Sequence, residues 1–114
     1  MKYMMIHTID PNAEYGTDGM PNFDSWLDEM LARGVTLHGD RLQDVSDATT
    51  VQVRVREVLV SDGPFAETKE QIVGYDVIEC ADLDEAIEIA AKHPTAWLGT
   101  IEVRPIQDDG CGGP

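Results

Sequence analysis

Few residues in this chain are suited to moving a proton, and two stand close together. His38 and Asp40 lie two apart in "VTLHGD", where an extended backbone sends both side chains to one side. A carboxylate beside an imidazole orients the ring and raises its pKa, as a general base requires. His38 and Asp40 are therefore the candidate catalytic pair, with an ordinary surface pair as the alternative. The densest polar stretch is "DGPFAETKE", residues 62 to 70. Asp62-Gly63-Pro64 reads as a tight turn, with Phe65 as a plug beneath it. Glu67, Lys69 and Glu70 would then be held on a rigid platform, offering a cation and carboxylates to a small polar molecule. In the alternative reading Asp62 and Glu70 satisfy backbone amides and Lys69 pairs with a carboxylate. Arg104, in "IEVRP", is a second anchor for an anionic substrate. His7 meets it if the first and last strands are neighbours, and otherwise reads as a hydrogen-bonded core histidine. His93, just before Pro94, reads as a favourable charge at a helix end.

No metal and no cofactor are expected. His7, His38 and Asp62 converge only through tertiary structure, and the chain has no Gly-rich phosphate loop, nucleophile elbow or thiol motif. Cys80 closes an apolar run as a buried, inert thiol, while Cys111 lies in the Gly-rich terminus, so neither zinc nor a disulfide framework is indicated. The 114 residues carry 22 acidic against 8 basic groups, a net charge of −14. That charge repels phosphate backbones and anionic lipid, which argues against nucleic-acid and membrane partners. "MKYMMIHTID" is too short and too broken by His7 for a signal peptide or membrane span, so a cytoplasmic location is expected.

These groups must be positioned by one domain, residues 1–107, followed by a flexible Gly-rich tail, residues 108–114. Residues 2 to 9 read as a central strand with apolar groups on both faces. Phe23, Trp26, Leu27, Met30 and Leu31 form the stripe of an amphipathic helix, capped by Asn22 and ended by Gly34. "VTLHGD" is a short strand. Val51, Val53 and Val55 alternate with polar residues, and "EVLVS" returns at once, predicting a hairpin with its turn near Arg56–Glu57. "QIVGYDVIECA" is a further strand, with Val73, Tyr75 and Val77 on one face and Ile72, Gly74, Asp76 and Ile78 on the other. Asp82 and Glu85 resemble a capping box opening a helix with Leu83, Ala86, Ile87, Ala90 and Ala91 inward, and Pro94 stops it. "LGTIEVRPI" closes the chain as a strand.

The order β-α-β, hairpin, β-α-β predicts an α+β, ferredoxin-like sandwich with an inserted β-hairpin, its helices on one sheet face. The other face, expected to carry Met4, Ile6 and Ile78, needs a cover, and a second copy supplies it, predicting a homodimer.

"DGPFAETKE", framed in order by "KYMM", "GDRL", "TTVQVR", "IVGYDVIE", "DLDEAI" and "IEVRP", resembles the DGPF family of the YCII-related group from Lys2 to about Ile106. The resemblance implies a ferredoxin-like fold paired into a dimeric α/β barrel and a bacterial setting. Some members occur near extracytoplasmic-function sigma factors, which implies a non-catalytic regulatory module as one alternative. A dehalogenase-like branch acting on chlorinated lactones implies the other, an enzyme of acid/base, lyase or hydrolase-like chemistry. That branch has a His near the start of its first helix, where this chain has "PNFDSWL" with Asn22 and Asp24 and no His.

Overall fold

The computed structural model describes residues 1–14, 16–64 and 70–107. In chain order these form β1 (Lys2–Ile9), α1 (Phe23–Arg33), β2 (Thr36–Arg41), a short 3₁₀ turn (Val45–Asp47), β3 (Thr49–Arg54), β4 (Glu57–Asp62), β5 (Gln71–Glu79), α2 (Leu83–Ala91), α3 (Thr95–Leu98) and β6 (Thr100–Pro105). Strands β2, β5, β1 and β6 make an antiparallel sheet in that order, and β3 and β4 form a separate two-stranded ribbon.

The period-2 alternation of β1 decides where its side chains go. Tyr3, Met5 and His7 are buried beneath the helices, while Met4, Ile6 and Thr8 are half-buried on the opposite face. Register carries this division across the sheet. Ile78 pairs with Tyr3 and Asp76 with Met5, so both lie on the helix side. Ile78 is fully buried there, in the core with Trp26, Met30, Ala86 and Ile89. It does not share the open face with Met4 and Ile6, as the sequence reading had it, because its parity on β5 is that of Asp76.

The two main helices begin and end as their sequences dictate. Asn22 Oδ1 accepts from the Asp24 and Ser25 amides at 2.7 and 3.3 Å. Gly34 closes α1 at φ 70°, a conformation that glycine adopts without a Cβ clash. Asp82 accepts from the Glu85 amide at 2.9 Å, and Glu85 reaches back to the Ala81 amide at 2.8 Å. The buried stripe of α2 is Ala86, Ile89 and Ala90, with Leu83 and Ile87 exposed. It is thus rotated from the predicted one. Trp26 fixes the two helices to each other by donating its indole N–H to the Ile89 carbonyl at 2.9 Å. Outside the core, Arg33 bonds Glu29, Glu85 and Glu88, and Lys92 bonds Glu29 and Glu88.

The ribbon turns one residue earlier than expected. Arg54 pairs with Glu57, leaving Val55 and Arg56 as a two-residue turn at φ 48° and 66°. Among the described residues no helix is long and apolar enough to cross a membrane.

Candidate functional site

Three side chains from three elements meet on the helix side of the sheet. His7 comes from β1, Asp76 from β5, and His93 from the residues following α2. His7 Nε2 lies 2.7 Å from Asp76 Oδ2. His93 Nε2 lies 3.9 Å from the same oxygen, and the two imidazole centroids are 4.4 Å apart. His7 is only 4% exposed and His93 6%, and the Asp76 side chain is 14% exposed. Phe23 and Trp26 close over the His93 ring, both edge-on, at 5.7 and 4.6 Å.

The sequence builds this cluster through small residues and helix phase. Gly39 is the register partner of Asp76. A Cβ at Gly39 would run into Asp76 Oδ1 and come within 2.7 Å of the Tyr75 carbonyl oxygen, so the carboxylate depends on that glycine for its place. His93 follows Ala86, Ile89 and Ala90 at helical spacing, which continues the buried stripe of α2 into the site.

Hydrogen bonding assigns the protons. His93 Nδ1 accepts from the Thr95 amide at 3.0 Å, so a neutral His93 carries its proton on Nε2, toward Asp76. Burial, and next the adjacent His7, push the His93 pKa down to about 4, only partly opposed by Asp76. His93 is therefore uncharged near neutrality. Its sequence-based role as a positive charge at a helix end does not hold, because the helix face that carries it is the buried one. With Nε2–H donated to Asp76, His7 keeps a lone pair on Nδ1, which is buried and has no hydrogen-bond partner among the described residues. A carboxylate orienting one ring nitrogen while the other holds a lone pair is the arrangement of a general base.

His7, Asp76 and His93 also each offer one atom to a metal ion, all within 4.8 Å of one another. The surrounding bonds oppose that use. A metal-bound histidine donates its second N–H to an acceptor, whereas His93 Nδ1 already accepts from a backbone amide and His7 Nδ1 faces no acceptor. The donor set fits proton transfer better than metal binding.

The sequence-predicted residues fall elsewhere. His38 and Asp40 both lie on β2 and, through their partners Val77 and Tyr75, share the open face, opposite His7. Among the described residues they form no ion pair with each other; His38 Nδ1 instead lies 3.4 Å from the Tyr75 hydroxyl. Arg104 is paired with Met4 on β1, which places it on that open face too, beside Glu102 at 3.6 Å. The first and last strands are neighbours, but His7 and Arg104 lie on opposite sides of the sheet and do not meet. Asp62 ends β4 at the base of the ribbon, paired with Thr49. Glu70 immediately precedes β5, exposed. Phe65, Glu67, Lys69, Cys111 and the tail from 108 lie outside the described residues. Glu70 leads into β5 at Gln71, the partner of Ile9, and so lies toward the end of the sheet where His7 sits.

Asp76 and His93 were not singled out in the sequence as site residues. The signals for them were a lone carboxylate on the apolar face of β5 and a histidine in phase with the buried residues of α2.

Helices on one face of an antiparallel sheet ordered β2-β5-β1-β6, above a buried His–Asp pair, define an α+β protein of ferredoxin-like type. The YCII-related domain matches residues 1–108, and the chain belongs to that family. It is 46% identical over 68 residues to an uncharacterized protein of Rhizobium meliloti (strain 1021), a match covering 58% of this chain and 55% of the relative. The matched part thus spans about half of the relative's length.

Proposed function

We propose that this chain binds a small polar molecule and transfers a proton on it, with His7 as the base and Asp76 as the group that orients it. The observation carrying this reading is the 2.7 Å His7–Asp76 contact, with the buried Nδ1 of His7 left without a partner among the described residues. A purely structural histidine in a core finds partners for both nitrogens as a rule. His93 completes the site as a neutral donor facing the shared carboxylate. The test is hydrogen–deuterium exchange into small carboxylic acids and lactones in D2O, followed by NMR. His7→Gln and Asp76→Asn should abolish any exchange seen with the wild type while circular dichroism stays unchanged. Exchange that survives both substitutions removes the pair from the mechanism and returns attention to His38 and Asp40.

The homodimer expectation has its own support. Val51, Val53, Val58 and Val60 form one face of the ribbon by register, and each is 57–66% exposed. Such a contiguous apolar face is a mark of association. Light scattering should give twice 12.6 kDa; a single-chain mass at micromolar concentration would overturn the dimer.

A further inference from the structure

We infer that the open sheet face pairs with a second copy in one orientation, its two-fold axis running across the strands. His38 then sits on the partner's Asp40, and Arg104 on the partner's Glu102. The inference rests on the homodimer reading and identifies the groups that orient the pair.

Register lays the face out as two rows. One runs His38, Val77, Met4, Arg104, and the next runs Asp40, Tyr75, Ile6, Glu102. The four central residues are buried or half-buried, and the four at the ends are exposed. An apolar centre inside a polar rim is the anatomy of an interface between chains. The molecule is 19 Å deep along its shortest axis, which one helix layer on one sheet fills. A third layer over the open face would need about 10 Å more, so the cover comes from outside the chain.

The rim charges choose the orientation. At each end of the rows a basic or titratable group in the first row stands beside a carboxylate in the second. A two-fold axis across the strands lays each strand over its own copy, reversed, and exchanges the rows. His38 then faces the partner's Asp40 and Arg104 the partner's Glu102, with Met4 against the partner's Ile6 and Val77 against the partner's Tyr75. An axis along the strands lays β2 over β6 instead and sets Asp40 against the partner's Glu102, two carboxylates face to face. Juxtaposed like charges reject that pairing. Side chains bridge the gap between packed sheets, about 10 Å.

The four groups are available for this. His38 and Asp40 form no ion pair among the described residues, and His38 reaches only the Tyr75 hydroxyl, at 3.4 Å. Arg104 approaches Glu102 through Nε alone, at 3.6 Å, with both side chains exposed. His38 and Asp40, unpaired within one chain, become a histidine–carboxylate pair between two. A net charge of −14 repels a second copy over the surface at large. This face is close to neutral, with one arginine and one imidazole against two carboxylates.

Charge reversal tests the pairing, by light scattering over a dilution series of the full chain. Glu102→Arg sets cations against each other across the interface, and Arg104→Glu sets carboxylates against each other. Each variant alone should raise the dimer dissociation constant about tenfold or more. Mixed one to one, the two variants are complementary, and the dimer mass should return. Both positions are exposed, and circular dichroism with the His7 ring shifts checks that the fold is intact. Unchanged dissociation in either variant, or no recovery on mixing, overturns the orientation while a wild-type dimer still stands. A single-chain mass for the wild type overturns the homodimer itself, so the two failures are distinguishable.

Discussion

Replacing His93 by glutamine should remove most of the stability the protein loses between pH 7.5 and pH 5. A histidine side chain ordinarily titrates near 6.5, and His93 in the fold titrates at about 4. Below pH 6.5 the unfolded chain therefore takes up a proton that the folded chain refuses. Stability from this group is complete above that pH and drains away as the pH falls. At about 1.36 kcal/mol per pH unit, the loss is about 2 kcal/mol by pH 5 and levels off near 3 kcal/mol below pH 4. His93 is nearly fully buried, so solvent screening takes little from this figure. The window is clean on its acid side. Glu29 and Glu88 are held below the usual carboxylate range by hydrogen bonds, to Lys92 and Arg33 for Glu29 and to Arg33 and Lys92 for Glu88. Their stabilisation is lost only at pH values below the window. Urea unfolding at pH 7.5 and 5.0 measures the effect directly, with a wild-type midpoint falling by roughly 1 M for an m-value of about 2 kcal/mol/M. His93→Gln should start less stable but fall much less. An equal fall in both proteins would refute the buried neutral histidine, as would an NMR titration showing the His93 ring protonated at pH 6.

Two further outcomes follow from close contacts and backbone geometry. Gly39→Ala should destabilise the fold by about 1–3 kcal/mol and displace the Asp76 carboxylate, because the Tyr75 carbonyl leaves the new methyl group no room; thermal unfolding and the His7 ring shifts report the two effects. Val55→Asn with Arg56→Gly should stabilise the chain by about 1–2 kcal/mol, since both positions hold left-handed backbone that the native side chains oppose, and an unchanged melting temperature would argue against this turn.

Element by element, the sequence was most legible where local chemistry and periodicity agreed. Asn22, Gly34 and Asp82 cap their helices as their types suggest, and β1 runs over the expected residues. The α2 stripe was harder. Leu83 and Ile87 look more apolar than Ala86, yet the small alanines face inward because the helix sits close to the sheet and against Trp26. That rotation is what turns His93 inward, so missing it meant missing the site. The short α3 is held by backbone bonds from Trp97 and Leu98 to the Pro94 carbonyl, at 2.9 and 3.0 Å; four residues are too few for a periodic signal. His7 and Asp76 are 69 positions apart, and only strand order and register bring them together. His38 and Asp40, close in sequence, point out of the opposite face.

The valine ribbon carries a consequence for handling the protein. Among the described residues both of its strands are edges, with no further strand paired along their outer sides and β-branched residues on one face, a template on which further strands can add. At neutral pH the net charge of −14 opposes the open-ended addition of further copies along these edges. That repulsion vanishes near the isoelectric point of 4.2, in the same acid range where a protonated His93 loosens the core. Purified material should therefore be kept well above pH 5, and strand-on-strand aggregates should form fastest at the isoelectric point.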